Sequence, residues 1–299
     1  MKKLIITIPL LLLTLFTKPL LSLENLLLKK NDFLVELSFS YFSTGSYYDK
    51  DGEQVSWITD PERELAPNYT FELSSMNIQA YIEYSFTDEI SAYARIPLNS
   101  SKLKETYMND TAINGVREPR AEFTLFQPDY YAVGGRYILD YDELFPFIKA
   151  EFRIPPGFYN GILNDPDYNF LSDGAFEFLG TLGGAMHFDK SWIEAAVTYN
   201  YRDEELADQM IFDLEAGLKT VPGTALGVYG RYYQSFGNMD DAPNFNPRHT
   251  IIQQDLLKVG ALFDIYFDNF YSRFEYTVNL YGRNTYTGGI FYIRAGFII

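Results

Sequence analysis

The 299-residue chain has no cysteine, only two histidines, and 24 basic side chains against 40 acidic ones. Without cysteine it forms neither disulfides nor thiolate metal sites, and it cannot be acylated as lipoproteins are. The formal net charge of −16 argues against nucleic acid as a partner, because phosphate binding needs a basic face. No internal apolar run is long enough for a membrane-spanning helix.

The N-terminus carries a targeting pattern. A short basic start, Met1-Lys2-Lys3, precedes the apolar segment LIITIPLLLLTLF at 4–16. This arrangement predicts a secretory signal peptide over 1–22, followed by a short periplasmic lead at 23–31. A retained membrane anchor is the alternative, and it is disfavoured because the apolar run is shorter than the ~20 residues that span a bilayer.

Aromatic residues are abundant, with 25 tyrosines and 25 phenylalanines, and they occur in segments where apolar and polar residues alternate. The C-terminal segment GGIFYIRAGFII (288–299) shows the pattern. Successive side chains of a strand point to opposite faces, so Phe291, Ile293 and Phe297 share one face while Arg294 lies on the other.

Similar alternation recurs along the chain and predicts about twelve β-strands. In the region 121–139, Pro128, Gly134 and Gly135 blur the pattern, so only its second half is assigned. The predicted strands lie near 32–43, 71–86, 90–98, 129–139, 144–154, 174–188, 192–202, 209–219, 224–235, 254–267, 270–281 and 286–299.

The connections between these strands fall into two alternating classes. Tight breaks and longer links on opposite rims are typical of up-and-down barrels in bacterial outer membranes. We therefore predict an all-β fold, an antiparallel up-and-down transmembrane β-barrel over 32–299, in the outer membrane of a Gram-negative bacterium. The tight, periplasmic turns are predicted at 87–89, 140–143, 189–191, 220–223 and 268–269, and the longer, external links at 44–69, 99–118, 155–171, 203–208, 236–250 and 282–285.

A barrel in lipid must close, because an open edge would leave backbone groups unsatisfied. The last strand is therefore expected to pair with the first. Segment 286–299 also resembles the C-terminal signal read by the barrel-insertion machinery, although the final residue is Ile299 rather than an aromatic. The expected partners are this machinery, outer-membrane lipid and lipopolysaccharide, and a small-molecule solute.

The alternation assigns most charged strand residues to the barrel interior, since a charge facing the bilayer midplane costs ~2–4 kcal/mol for Arg or Lys. Both signs occur together, so the charges either neutralise one another or form a selectivity site for a polar solute; the first is favoured because charge-selective pores usually show one dominant sign. The predicted lumen-lining residues are Glu36, Glu83, Arg95, Lys149, Glu151, Arg153, Glu194, Asp213, Glu215, Arg273, Glu275 and Arg294, together with Glu177, Arg202, Lys219, Lys258 and Asp264.

Catalysis and metal binding are both disfavoured by the residue patterns. One known family of twelve-stranded barrels is a phospholipase, which needs a serine activated by histidine. Neither His187 nor His249 is followed two residues later by serine, as that pattern requires. The segment DKDGE (49–53) has glycine at the fourth position instead of the sixth, so it is no EF-hand loop. We expect no enzyme activity, no cofactor and no metal site.

The link 155–171 is unusually rich in apolar residues for an external loop. These residues either pack the loop on the barrel rim or fold inward as an apolar constriction. In the second case Phe158, Tyr159, Tyr168 and Phe170 are candidates for a gate that contacts solute.

Short motifs in the chain resemble the outer-membrane transporter family linked to the meta-pathway of phenol degradation. The hairpin Tyr84–Leu98 turns at Thr87-Asp88, and Pro155-Pro156-Gly157, Asp173-Gly174 and Tyr199-Asn200-Tyr201-Arg202 follow in the family's order. That family is related in kind to fatty-acid and aromatic-hydrocarbon channels. The resemblance implies passive uptake of a small hydrophobic or aromatic molecule.

The sequence thus leads to an expected function and one alternative. The expected function is an outer-membrane channel for passive uptake of a small hydrophobic or aromatic solute. The alternative is a structural or adhesion barrel with a closed lumen, whose acidic, tyrosine-rich loops bind a partner.

Overall fold

A computed structural model describes residues 28–56, 58–59, 68–107, 121–155, 175–203, 206–237 and 254–299. The predicted signal peptide, the gate candidates Phe158, Tyr159, Tyr168 and Phe170, and Asp173-Gly174 lie outside these residues. Within them, no helix is long and apolar enough to cross a membrane. The main strands are β1 (Phe33–Thr44), β2 (Asn68–Ser85), β3 (Ile90–Tyr107), β4 in two segments (Ala121–Pro128 and Tyr131–Ile138), β5 (Leu144–Ile154), β6 (Glu177–His187), β7 (Ser191–Arg202), β8 (Gln209–Lys219), β9 (Thr224–Ser235), β10 (Asp255–Phe267), β11 (Phe270–Arg283) and β12 (Gly288–Ile298).

These strands form one closed antiparallel barrel. Each pairs with its neighbours in chain order, and β12 pairs with β1 in a register that runs from Leu34↔Ile298 to Ser43↔Gly289. Closure satisfies the backbone groups that an edge strand would leave unpaired in lipid. The predicted fold and the pairing of the last strand with the first are confirmed.

The short connections lie where the alternation predicted them, between β2 and β3, β4 and β5, β6 and β7, β8 and β9, and β10 and β11. The link predicted at 99–118 is wrong at its start, because β3 continues to Tyr107. Outward-facing Ser100, Lys102 and Lys104 belong to this extension, and Lys104 Nζ lies 3.8 Å from the carboxylate of Glu72 on β2. The apolar outer face ends at these polar side chains, although the strand continues. The sequence pattern therefore predicts the end of the strand too early.

The outward face of the barrel is apolar, as expected for contact with lipid. Leu37, Ile148, Leu214 and Val228 are between 53% and 63% exposed, whereas charged residues of the same strands turn inward. In β4, Val133 and Tyr137 face out and Arg136 faces in, so the alternation persists through the two glycines that blur it in the sequence.

A small sheet lies at the long-loop end of the barrel and joins Tyr47–Tyr48 to Gln54–Val55 and Thr285–Tyr286. Burial, and then the charge of Asp49, raise the pKa of Tyr47. In the neighbouring DKDGE segment, Asp49 Oδ1 accepts hydrogen bonds from the amides of Asp51 (2.9 Å) and Glu53 (2.8 Å). That carboxylate therefore stabilises a polar turn.

Candidate functional site

The barrel encloses a cavity of about 580 Å³, lined by side chains from all twelve strands. Strand alternation determines which residues reach it. Twelve of the residues predicted to line the lumen lie on its wall, and what they do there stays a prediction: Glu36, Glu83, Arg95, Lys149, Glu151, Arg153, Glu194, Asp213, Glu215, Arg273, Glu275 and Arg294.

Of the other five residues that were expected to line the lumen, three do and two do not. Glu177, Arg202 and Lys258 also line the cavity. Asp264 is fully buried against Arg273 and does not reach the cavity surface. Lys219 is not part of the lining, because it is the last residue of β8, at the short-turn rim.

One wall carries a chain of ion pairs across β3, β5 and β6. Arg153 Nε lies 2.7 Å from Glu151 Oε1, and its NH1 lies 2.7 Å from Glu177 Oε2. Arg95 contacts the same oxygen of Glu151. The ring of Tyr130 lies beneath both guanidinium groups, with its centroid 4.8 Å from Arg153 Cζ and 5.5 Å from Arg95 Cζ. These charges compensate each other, and Tyr130 lines the cavity beside them.

A second group lies on β8, β9 and β10. Because β9 is six strands from β3 around the ring, Arg231 and Arg95 lie on opposite sides of the barrel. Arg231 Nε contacts Asp213 Oδ1, and Arg231 Cζ lies 5.4 Å from the ring centroid of Tyr229 and 5.8 Å from that of Tyr233. Lys258 Nζ lies 5.3 Å from the Tyr233 centroid. This wall therefore combines two cations and two tyrosine rings with one carboxylate.

A third group is deeply buried toward the short-turn end. Arg273 donates to Glu215 from NH1 (2.8 Å) and NH2 (3.0 Å), and to Asp264 from Nε (2.7 Å) and NH2 (2.9 Å). Trp192 Nε1 also donates to Glu215, at 3.0 Å. Arg273 is 1% exposed and Asp264 is 0% exposed, so their full set of partners is what makes this burial tolerable.

Apolar side chains pack beside the buried charges at the short-turn end of the barrel. The members of the three clusters named below are less than a tenth exposed. The cavity therefore ends on a packed layer, which we call the floor. It comprises three clusters: Ile138, Phe145, Phe147, Ala185 and Ala196; Leu28, Leu34 and Tyr271; and Trp192, Ala225 and Leu262.

The charges of the interior are segregated along the barrel axis. Including Asp264, the interior holds nine carboxylates and nine cations. We divide them by distance along each strand from the end that bears the short turns and the two chain termini. Within four residues of that end lies the deep group, five carboxylates and three cations: Glu36, Glu83, Glu194, Glu215 and Asp264 with Arg136, Arg273 and Arg294. Farther along lies the outer group, four carboxylates and six cations: Glu151, Glu177, Asp213 and Glu275 with Arg95, Lys149, Arg153, Arg202, Arg231 and Lys258.

Sequence reasoning missed two cations of the site, Arg231 and Arg136, and its tyrosines, among them Tyr130, Tyr229 and Tyr233. Arg231 follows the alternation of β9 and could have been assigned from it. Arg136, which pairs with Glu83 at 2.8 Å, fell in the blurred β4 pattern. Tyr130 lies between the two β4 segments, where the sequence carries no phase signal. His187, set aside as a general base, packs edge-on against Phe145 with ring centroids 5.2 Å apart.

No protein-family profile and no curated protein matches the sequence. Among solved structures, an outer membrane channel from Pseudomonas putida F1 is similar, with a TM-score of 0.63 and 12% identity over 91% of this chain and 97% of that one. The translocator domain of the autotransporter NalP from Neisseria meningitidis has a TM-score of 0.46 and 9% identity, over 90% and 89% of the two chains. A mutant of the TodX monoaromatic hydrocarbon channel has a TM-score of 0.46 and 9% identity, over 91% of each chain.

The class that the fold defines is the twelve-stranded β-barrel of the outer-membrane channel type. At 12% identity the likeness extends to the fold alone. The link to the phenol meta-pathway family stays a prediction.

Proposed function

We propose that the chain is an outer-membrane channel for passive uptake of a small aromatic solute. The observation that carries the proposal is the contrast between an apolar exterior and an interior cavity lined by tyrosines and paired charges. A barrel that served only as a membrane anchor would have no need of such a polar cavity.

The chemistry of the cavity favours an aromatic solute with polar groups over a bare hydrocarbon. Tyr130 and Tyr233 line the cavity, and the cations Arg153 and Lys258 lie over their rings. A hydrocarbon would displace water from the charged wall without replacing its hydrogen bonds, which lowers affinity. A solute with hydroxyl or carboxylate groups replaces them.

The floor favours the alternative function, a closed barrel whose loops bind a partner. In the structure, Phe147, Trp192 and Tyr271 are less than 5% exposed, so passage of a solute requires these side chains to move. The two functions differ in whether the floor opens.

Single-channel recording in planar bilayers tests the proposal. We expect discrete conductance steps for the wild-type protein, and larger steps for Phe147→Ala, which removes a ring from the floor. Ile148→Ala is the matched control, because the adjacent Ile148 is 55% exposed on the outer face and its truncation leaves the floor intact. If a correctly folded wild type and Phe147→Ala both remain silent, the channel function is wrong and the closed barrel is supported.

A further inference from the structure

The two halves of the barrel interior differ in net charge along the barrel axis. The deep group carries a formal charge of −2 and the outer group a formal charge of +2, although the interior as a whole is neutral. A net charge inside an enclosure of low dielectric acts more strongly on a solute than the same charge in bulk water. A small anion is therefore attracted to the outer half of the cavity and repelled by the deep half, whereas a cation experiences the reverse.

Lys258 is the cation best placed to bind such an anion. It lines the cavity and, among the described residues, its ammonium group has no carboxylate within ion-pair distance; its contact is the ring of Tyr233, 5.3 Å away. The register places it directly opposite Arg231, whose guanidinium contacts Asp213. Among the described residues, the charge of Lys258 is thus left without an ion-pair partner.

Further aromatic rings line the same cavity. Tyr229 and Tyr233 flank Arg231 on β9, and Tyr130 lies on the facing wall between Arg95 and Arg153. Tyrosine rings offer flat apolar contact to an aromatic solute, and their hydroxyl groups contribute polar contacts. An uncompensated cation beside tyrosine rings matches a planar ring that carries one negative charge.

We propose that the outer half of the cavity is a binding site for a small aromatic monocarboxylate, with its carboxylate at Lys258 and its ring against Tyr233. This rests on the proposed function, since it names the class of solute that the channel would take. The carboxylate forms a charge-assisted hydrogen bond with the ammonium group, which is stronger than a neutral one. The acidic deep group prevents the same anion from settling at the floor.

Calorimetric titration of the detergent-solubilised, folded barrel tests the site without requiring transport. The probes are benzoate, benzyl alcohol, benzylammonium and gluconate. We expect benzoate to bind most tightly, and Lys258→Gln to weaken benzoate about tenfold, the effect of removing one charged partner, while binding of benzyl alcohol is unchanged. Lys258→Arg, which retains the charge, should retain benzoate binding.

Lys190→Gln is the matched control. Lys190 is exposed in the short turn between β6 and β7, so this substitution removes the same charge far from Tyr233. Equal binding of benzylammonium and benzoate, or an unchanged benzoate affinity in folded Lys258→Gln, would overturn the proposal. Gluconate binding as tight as benzoate would overturn its aromatic part. Benzoate binding without conductance contradicts only the channel function, and conductance without benzoate preference contradicts only this site.

Discussion

At the scale of single residues, the floor depends on glycines that make room for large side chains. Trp192 of β7 lies directly opposite Gly217 of β8, and Phe147 of β5 lies directly opposite Gly183 of β6. Each ring covers its glycine so closely that a Cβ atom there would lie within 2.4 Å of it. The glycines therefore let inward-facing rings lie flat along the wall and pack to a high density.

Gly217→Ala tests this packing. The new Cβ would lie 2.1 Å from Trp192 Cη2, so the indole has to move away from its place beside Glu215. We expect the free energy of unfolding to fall by about 1–3 kcal/mol, the usual effect of overpacking. Urea unfolding in detergent, followed by tryptophan fluorescence, measures the change.

The control for that substitution is Gly230→Ala on β9. A Cβ atom at Gly230 would meet nothing closer than 3.9 Å, so this variant should unfold as the wild type does. Equal unfolding midpoints for Gly217→Ala and Gly230→Ala would show that the glycine is not needed for the position of Trp192.

At the scale of elements, β4 shows how a strand can break and still keep its faces. Arg95↔Ala132 and Leu98↔Pro128 are both paired, so two residues of β3 oppose the three residues 129–131 of β4. One extra residue of this kind is a β-bulge, which can re-aim a side chain. Here the amide of Asp129 donates to the carbonyl of Pro97 at 3.0 Å, and Tyr130 faces the cavity.

Cysteine substitutions on β7 and β11 test the faces of the strands. Cysteines at Ile193, Val197 and Phe274 should contact lipid and resist aqueous thiol reagents. Those at Glu194, Thr198 and Glu275 face the lumen and should react, Glu194 most slowly because it belongs to the deep group. Labelling in intact outer membranes, read by mass shift, distinguishes the two sets. Uniform labelling of all six positions contradicts the alternation.

At the scale of the whole molecule, charge is divided between compartments. The chain has a formal charge of −16, yet eight carboxylates and nine cations line the cavity. Among the described residues the acidic excess therefore lies outside the cavity, while the strand surfaces that face outward are apolar. Each compartment has the composition that its surroundings require, because charge is costly in lipid and is tolerated inside only where it is paired.

Removal of 288–299 should abolish insertion of the barrel. β12 pairs with ten residues of β1 and ten of β11, so both of those strands would become open edges in lipid. Heat-modifiable migration and protease resistance in isolated outer membranes measure folding. Removal of Ile299 alone keeps the whole of β12 and serves as the control. A truncated barrel that still migrates as a folded species would contradict the observed closure.

The sequence by itself determined the fold, the approximate strand positions and the face on which most charges lie. The reason is that lipid imposes a strict rule on every strand, apolar outward and polar inward, with a period of two residues that can be read without any partner strand. The alternation could not be followed through Gly134 and Gly135, because glycine has no side chain to mark a face, and the inward direction of Arg136 was therefore missed. The rule also misplaced the end of β3, which continues beyond the apolar outer face to Tyr107.

Only the tertiary structure decided which charges meet, where the lumen is filled, and how charge is distributed along the axis. Arg273 lies between Glu215 and Asp264 because the registers of β8, β10 and β11 bring three distant residues to one depth. Alternation gives the face of a residue but not its height, since height depends on the stagger between strands, which is set when the barrel closes. The floor, the outer cations and the position of Lys258 beside Tyr233 all follow from that stagger.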